Sequence, residues 1–382
     1  MKICIIANGY PSARSPQWGC FERDHALALR EMGHDVSLLY FDRRFRTYWR
    51  KIGISKCEEN GIRVYGLFLM PLGWLRDRVS YKLHQQIVSW GFGKLYRMCI
   101  KENGQPDVIY AHYMYNMSYI SKIKIKYGIP LVGIEHWSNL TKETLSPLER
   151  YWGKIAYSRA DRLLAVSQSL QSHIKRHFGK ESTVVYDMLG QEFSNAKVLT
   201  RKTSAFRFIA IGSLISRKGF DILIEAFAKT NLAKKGCRVV IVGEGNEKAN
   251  LQKQIERLSV TEYVQLVGRK TKKEIIDLMH ESHVFILSSR AETFGVVCIE
   301  ALSQGLPNIA TICGGPEEFI NESNGVLIPT DDVDAMATAM KKMYNDYNKY
   351  DINTIAEGCK QKFAPQIIAQ QLTDIFEEVI KK

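Results

Sequence analysis

Two glutamates with seven residues between them, Glu292 and Glu300, stand in the stretch VFILSSRAETFGVVCIEALSQG (284–305). The stretch opens with an apolar run, Val284 to Leu287, which reads as a buried strand reaching its carboxyl end. A polar turn follows, Arg290 to Thr293, then Phe294 and Gly295, then a helix over Val296 to Ser303. Gly295 permits close backbone approach, and the free amides at a helix start favour an anion. A helix rises about 1.5 Å per residue, so the two carboxylates can address different parts of one elongated ligand. Open α/β sheets take ligands at the carboxyl ends of their strands. The plainer alternative is that Glu292 caps the helix and Glu300 is a solvated helix residue.

Other residues of the same kind lie upstream. Lys218 and Gly219 sit at a strand-to-helix turn, with Arg217 beside them. A lysine there can neutralise a diphosphate whose oxygens the helix amides hold. His136 follows the apolar run PLVGIE, at the carboxyl end of a strand. A neutral imidazole can hydrogen-bond a sugar hydroxyl or a phosphate oxygen, or can be a local structural histidine. His112 ends another strand, DVIYAH, with a weaker claim. CGGPEEFI (313–320) can turn tightly round a ligand. Asp331, Asp332 and Asp334 fit a helix start better than a metal site. No clustered histidine pair points to zinc, and no Walker loop or nucleophile elbow occurs.

Short apolar strands alternate with helices, which argues for parallel sheets covered on both faces. In the first half, strands are expected at Lys2–Ala7, Asp35–Tyr40, Ile62–Phe68, Asp107–Ala111, Pro130–Glu135, Arg162–Val166 and Thr183–Tyr186. Helices are expected near 20–32, 74–101, 116–127, 142–159 and 168–177. The loop NGYPSARSPQWGC (8–20) lacks the GxGxxG spacing of a dinucleotide site. Residues 195–205 read as a linker, and a second alternation begins at FRFIAIG (206–212). The 382 residues therefore suit two domains.

The formal charge of +13 implies attraction to something anionic. Two early stretches carry much of it: FDRRFRTYWRKIG (41–53), which mixes arginines with aromatics, and the basic amphipathic 72–101. Such a helix can lie on an anionic membrane or can pack normally with a solvated face. No nucleic-acid module is recognisable, so nucleic acid is not expected as a partner. The first residues are too short an apolar run for a signal peptide, and no stretch reaches the roughly 20 apolar residues of a membrane span. The eight cysteines form no CxxC pair and fall mostly in apolar runs, as in a cytoplasmic protein.

In this frame the sequence resembles glycosyltransferase family 4, the large retaining family of GT-B architecture. The pieces that carry the resemblance are IGSLISRKG, VVIVGEG, VQLVGR, SSRAETFGVVCIEALSQGLPNIAT, CGGPEE and GVLIP, in family order. The resemblance implies two Rossmann-like α/β domains facing across a cleft. Residues 1–197 would be the acceptor-side domain and 198–364 the nucleotide-sugar domain, with helix 365–382 packing back on the first. It also implies that Glu300 binds the ribose hydroxyls and Glu292 sits by the donor sugar. Backbone amides at Phe294, Gly295 and Val296 would meet donor hydroxyls and phosphates, and Lys218 would hold the diphosphate. Gly268 and Arg269 would lie along the base, Gly19 near the diphosphate and His136 near the transfer site. Three places depart from the family pattern. Ser213 replaces a frequent arginine at the diphosphate, where Arg217 is the substitute. Tyr186, Asp187 and Met188 replace a frequent proline-asparagine-glycine turn. Glu317 stands where proline is common.

The implied reaction is retaining transfer of a hexosyl or N-acetylhexosaminyl group from a nucleotide sugar, a UDP-sugar being favoured, to a surface polysaccharide or lipid-linked saccharide. A GDP-mannose donor is the first alternative. An epimerase or phosphorylase-like enzyme is the second, and a non-catalytic carbohydrate-binding or assembly subunit the third. Negative charge accumulates on the leaving diphosphate, so cations and helix amides aimed at it stabilise the transition state. No cofactor and no obligatory metal are expected. Domain closure would exclude water, and the site of action would be the cytoplasm, at the inner face of the membrane.

Overall fold

The computed structural model describes residues 1–42, 52–69, 81–199 and 205–381. Most of the basic stretch 41–53, the start of 72–101 and part of the expected linker lie outside these residues. The chain divides into two compact units. Residues 1–187 with 365–382 form unit 1, and 188–364 form unit 2. The division thus falls at 187/188, ahead of the expected 197/198.

Unit 1 contains β1 (Lys2–Ala7), α1 (Cys20–Glu31), β2 (Asp35–Asp42), β3 (Gly53–Glu59), β4 (Ile62–Phe68) and α2 (Tyr81–Asn103). It continues with β5 (Val108–His112), α3 (Met114–Tyr127), β6 (Leu131–Glu135), α4 (Pro147–Arg159), β7 (Arg162–Ala165), α5 (Gln168–Phe178) and β8 (Thr183–Val184). Its sheet runs β3-β4-β2-β1-β5-β6-β7-β8, parallel except for the antiparallel pair β3–β4. β1, β5 and β6 are buried almost throughout, which is why they read as unbroken apolar runs.

Unit 2 opens with α6 (Gln191–Asn195), β9 (Arg207–Ile211), α7 (Phe220–Lys229), β10 (Arg238–Val242), α8 (Lys248–Arg257) and β11 (Val264–Leu266). Then come α9 (Lys272–His280), β12 (Val284–Leu287), α10 (Val296–Ser303), β13 (Asn308–Thr311), β14 (Gly325–Ile328), α11 (Val333–Asp346) and α12 (Ile352–Phe363). Its order, β11-β10-β9-β12-β13-β14, is all parallel and is the doubly wound order with a reversal between β9 and β12. α6 belongs here by its contacts: the Gln304 amide donates to the Phe193 carbonyl at 3.0 Å, and Lys272 pairs with Glu192 at 2.9 Å. That packing sets the division.

The last helix, α13 (Pro365–Ile380), belongs to unit 1. It buries Ile368, Leu372, Phe376 and Val379, a single stripe at helical spacing. Phe376 lies edge-on to Tyr110, with ring centres 5.1 Å apart, and Thr373 bonds His34 at 2.8 Å.

Two local differences from the sequence reading have plain causes. β3 was not expected; it hairpins onto β4 through Asn60 and Gly61, both at positive φ (51° and 74°). Asn-Gly is the standard signal for such a turn. The helix expected from 142 begins at Pro147, because Ser146 and Glu149 close a reciprocal cap there. Five of the eight cysteines are buried. Among the described residues no helix is long and apolar enough to cross a membrane.

Candidate active site

In unit 2 the sheet order reverses between β9 and β12, so the loops that follow these strands run apart and leave a crevice at their carboxyl ends. The loop after β9 carries Gly212, Ser213, Arg217 and Lys218, and the loop after β12 carries Glu292 to Gly295. The two loops are stitched together. The Arg290 amide donates to the Arg217 carbonyl at 2.8 Å, and the Arg217 guanidinium donates to the Ala291 carbonyl at 3.2 Å. The Ser288 hydroxyl donates to the Lys218 carbonyl at 2.9 Å. The Arg290 side chain clamps the turn from outside, bonding the Ser216 carbonyl, Asp221 and Asp331.

This stitching brings two of the candidate residues together. Lys218 Nζ lies 2.5 Å from Glu292 Oε1, which also accepts from the Ser289 hydroxyl at 2.6 Å. Both side chains are largely sheltered from solvent. The pair places one cation and one carboxylate at the switch point of the sheet. Glu292 is held from behind as well, its amide donating to the Cys313 carbonyl at 2.9 Å. Glu317 secures that turn by accepting from the Cys313 and Gly314 amides at 3.3 and 2.8 Å.

α10 starts at Gly295, which has φ 94° and offers no side-chain cap. Its first amides are therefore presented without a competing side chain of the cap residue. The Phe294 ring is buried against Phe319 and Phe363, so this residue can offer a ligand only its backbone. Glu300 lies half-buried one turn further along α10. Ser213 is exposed after β9 and Arg217 half-buried. Gly268 (φ 74°) accepts from the Gly243 amide at 2.9 Å, and Arg269 beside it is exposed.

Gly19 and His136 belong to unit 1. Gly19 starts α1 at φ 79° and abuts Gly9 so closely that a Cβ would lie 2.3 Å from the Gly9 carbonyl. The Asn8 amide donates to the Glu22 carboxylate at 2.9 Å, fixing the loop after β1. His136 is buried among groups the sequence did not connect to it. Its Nδ1 lies 2.9 Å from Asp187 Oδ1, off the line of a good hydrogen bond, so the contact is chiefly ionic. Its Nε2 lies 3.1 Å from His112 Nδ1, and the two rings are nearly parallel. Phe21 stacks 6.4 Å away, and His25 stands edge-on to both imidazoles. Both ring nitrogens of His136 are thus engaged within the protein. Tyr113, at φ 69°, packs on the same ring 5.2 Å away. A non-glycine residue there is strained, and such strain gathers at functional sites.

Burial pushes His25 down to about 3 and His112 well below the usual histidine range, so both are neutral near pH 7. Burial opposes charge on His136 too, but Asp187, Glu22 and Glu135 outweigh it and hold that imidazole above the usual value. The sequence carried one signal for this cluster. Glu22 and His25, three apart in the first turns of α1, face the same way just after Gly19.

Unit 1 also contains a cavity of about 480 Å³. Its walls include Trp18, Tyr115, Tyr119, Trp137 and Trp152, with Asn139 and Glu149 among its polar groups. Aromatic faces with a few polar groups suit a ligand that is part apolar and part hydroxylated.

Known families match both parts of the chain. The family described as Glycosyltransferase Family 4 matches residues 23–187, and that described as Glycosyl transferases group 1 matches 191–357. A glycogen synthase of Mycobacterium tuberculosis is 24% identical over 91% of this chain and 86% of its own length. An uncharacterized glycosyltransferase of Methanocaldococcus jannaschii is 25% identical over 72% of this chain and 76% of its own length. Among solved structures, the sucrose-phosphate synthase of Thermosynechococcus elongatus superposes with a TM-score of 0.79 at 17% identity, covering 100% of this chain and 99% of its own. The Anabaena protein HepE, solved with UDP-glucose, gives 0.75 at 20% identity, covering 99% and 100%. These likenesses identify the fold as GT-B, two Rossmann-like α/β units. With adjoining family matches on its two halves and the motif pieces in family order, the chain belongs to glycosyltransferase family 4.

Proposed function

We propose that this glycosyltransferase moves a hexosyl or N-acetylhexosaminyl group from a UDP-sugar to a saccharide acceptor of a surface polysaccharide or lipid-linked glycan, with retention at the anomeric carbon. The observation that carries the reading is the Lys218–Glu292 pair at the β9/β12 switch point, beside the uncapped start of α10. Lys218 and the α10 amides take the diphosphate, where charge builds as the glycosyl bond breaks. Glu292 orients the donor sugar, and Glu300 takes the ribose hydroxyls further along the helix. HepE has been solved with UDP-glucose and a trehalose-6-phosphate protein of E. coli with UDP-2-fluoro glucose, which supports UDP as the base of the donor. The aromatic cavity of unit 1 is the place for the acceptor.

The test is nucleotide release across UDP-, GDP- and ADP-sugars, without acceptor and then with oligosaccharide or lipid-linked acceptors. Release selective for a UDP-sugar and raised by acceptor is the expected result. Silence across the panel counts against the assignment. Glu300→Ala is expected to weaken UDP binding, measured by calorimetry, by about 10–100-fold, the worth of a charged hydrogen-bonding group. Unchanged affinity in a folded variant removes Glu300 from the nucleotide site.

The acceptor is presented at a membrane surface in this reading. α2 buries Val88, Phe92, Leu95, Tyr96 and Cys99 on one side. The opposite side carries Leu83 and Trp90, 47% and 55% exposed, then exposed Lys94, Arg97 and Lys101 at helical spacing. An exposed tryptophan followed by a basic row matches the interface of an anionic bilayer. Each basic residue near such a surface contributes about 1 kcal/mol. The protein is therefore expected to sediment with phosphatidylglycerol-containing vesicles at low salt, and Lys94→Glu with Arg97→Glu to lower that binding about tenfold or more. Absence of sedimentation at low salt would rule out the docking face.

A further inference from the structure

We propose that the aromatic cavity of unit 1 holds one uncharged pyranose unit of the acceptor, and that Glu149 is the residue that turns anionic sugars away from it. The proposal rests on the acceptor reading above and names the class of sugar that the cavity takes. It needs residues of unit 1 alone. The cavity opens beside the loops that follow β1, β5 and β6, which supply Asn8, Asn116 and Asn139 to its lining. Those loops stand at the carboxyl ends of parallel strands, where open α/β sheets take their ligands.

The aromatic side is built before any ligand arrives. Trp152 and Phe92 are buried, whereas Trp18, Tyr115 and Trp137 are half-buried and keep ring surface open. Tyr115 stands edge-on to Trp137 and Trp152, with ring centres 5.0 and 6.0 Å apart. Trp18 lies against Gly9 so closely that a Cβ there would meet its ring at 2.2 Å. Rings held in this way cost little ordering when a ligand binds. The polar side is equally fixed. The Asn116 amide donates to the His112 carbonyl at 2.9 Å, which leaves its oxygen to accept from a ligand. Glu149 is buried at the start of α4; its Oε2 accepts from the Ser146 amide at 2.7 Å, while Oε1 has only the long 3.4 Å contact with the Asn139 amide. A carboxylate has room for about four hydrogen bonds, so Oε1 can take hydroxyl hydrogens. A pyranose offers a C–H face to the rings and hydroxyls to the polar side. A hydrocarbon chain would strip water from Asn116, Asn139 and Glu149 and return nothing.

Charge narrows the class of sugar. Among the described residues that line the cavity there is no lysine or arginine, and Glu149 is the one carboxylate. His84, the one histidine of that lining, meets the Tyr119 hydroxyl at 3.4 Å. A uronate or sugar phosphate would bring a second negative charge beside a sheltered first one, with no fixed cation between them. Like charges placed together across an interface are strongly disfavoured. A neutral hexose or N-acetylhexosamine meets no such cost. Glutamine is the informative replacement at 149, because it serves the same place in the α4 cap as glutamate and lacks the charge.

The experiment measures binding to the full-length protein by tryptophan fluorescence and saturation-transfer NMR. The probes are the methyl glycosides of glucose, galactose and N-acetylglucosamine, set against methyl glucuronide and glucose 6-phosphate. The proteins are wild type, Trp137→Ala and Glu149→Gln. At least one neutral glycoside should bind saturably and about tenfold or more tighter than either anion. Trp137→Ala should weaken it about tenfold, and Glu149→Gln should shrink the preference for neutral over anionic sugar by about tenfold. If Trp137→Ala does not fold, Leu148→Trp narrows the cavity from its rim and should weaken binding likewise. Anions bound as tightly as neutral sugars in wild type, or a preference unmoved in Glu149→Gln, overturn the selective role of Glu149. No saturable glycoside binding, or binding unmoved by the cavity variants, overturns the subsite. So does binding of a decyl-chain detergent without a sugar head where every glycoside fails, which assigns the cavity to a lipid chain. UDP-sugar turnover is followed in parallel. Turnover without glycoside binding overturns the subsite alone, whereas glycoside binding with silence across every donor overturns the transferase reading and leaves the sugar subsite standing.

Discussion

Lys218→Ala is expected to lower kcat for nucleotide release by about 10²–10³-fold, because in the proposed site it removes the cation that would face the leaving diphosphate, where charge develops. The structure adds a second consequence. Lys218 is the ionic partner of Glu292 at 2.5 Å, and Glu292 is sheltered with the Ser289 hydroxyl as its other bond. Removing one member of a sheltered pair strands the other, so stability should also fall, by up to about 3 kcal/mol. The two effects separate in the double variant Lys218→Ala with Glu292→Gln. It removes the stranded charge, so most of the stability should return while turnover stays low. Lys218→Arg keeps the charge in a different shape and should retain more turnover than alanine. Steady-state kinetics with thermal melts of the four proteins make the comparison. Wild-type turnover in Lys218→Ala would remove this lysine from the diphosphate site.

The same pair shows how much of the candidate site in unit 2 was legible in the sequence. The strand Val284–Leu287 and the helix Val296–Ser303 have the predicted bounds, because a buried apolar run, a polar turn and a glycine punctuate them sharply. Lys218 is marked in the same way by the glycine behind it. What joins Lys218 to Glu292 was not legible from their spacing, since it depends on β9 and β12 being neighbours across the sheet reversal. Arg290 is a sharper case. It read as one more polar residue of a turn, yet it clamps the Lys218 loop through Asp221 and Asp331, which are distant in sequence.

The histidine cluster was half legible. His136 and His112 were visible as the ends of apolar runs, and Asp187 as a departure from a pattern. Their meeting needs β5, β6 and β8 in register, which no local signal encodes. The β3 hairpin had a local signal, Asn60-Gly61, but its exposed residues hid the alternation that a half-buried strand displays. The division at 187/188 escaped for the opposite reason. Residues 188–197 look like linker by composition, and only the contacts of α6 with its neighbours assign them to unit 2.

Gly219→Ala is expected to do more damage than its single methyl group suggests. Gly219 closes the turn Ser216–Lys218 and begins α7, at φ 63°. An alanine there carries the left-handed strain of about 1–2 kcal/mol. Its Cβ would also lie 2.0 Å from the Ser288 carbonyl oxygen, which is backbone at the end of β12 and cannot rotate away. Relieving that overlap moves the β9 loop off the β12 loop and adds about 1–3 kcal/mol. The displaced segment carries Lys218, so donor affinity and turnover should fall with stability. Gly33→Ala is the matched control. Gly33 has φ 86°, but nothing lies within 4 Å of its added Cβ, so the backbone strain alone applies. Melts followed by circular dichroism, with UDP affinity by calorimetry, compare the two. Gly219→Ala should melt lower than Gly33→Ala and bind UDP more weakly, whereas Gly33→Ala should bind as wild type does. Equal melting and equal UDP affinity in the two variants would show that the β9 and β12 loops are not held against each other at the proposed donor site.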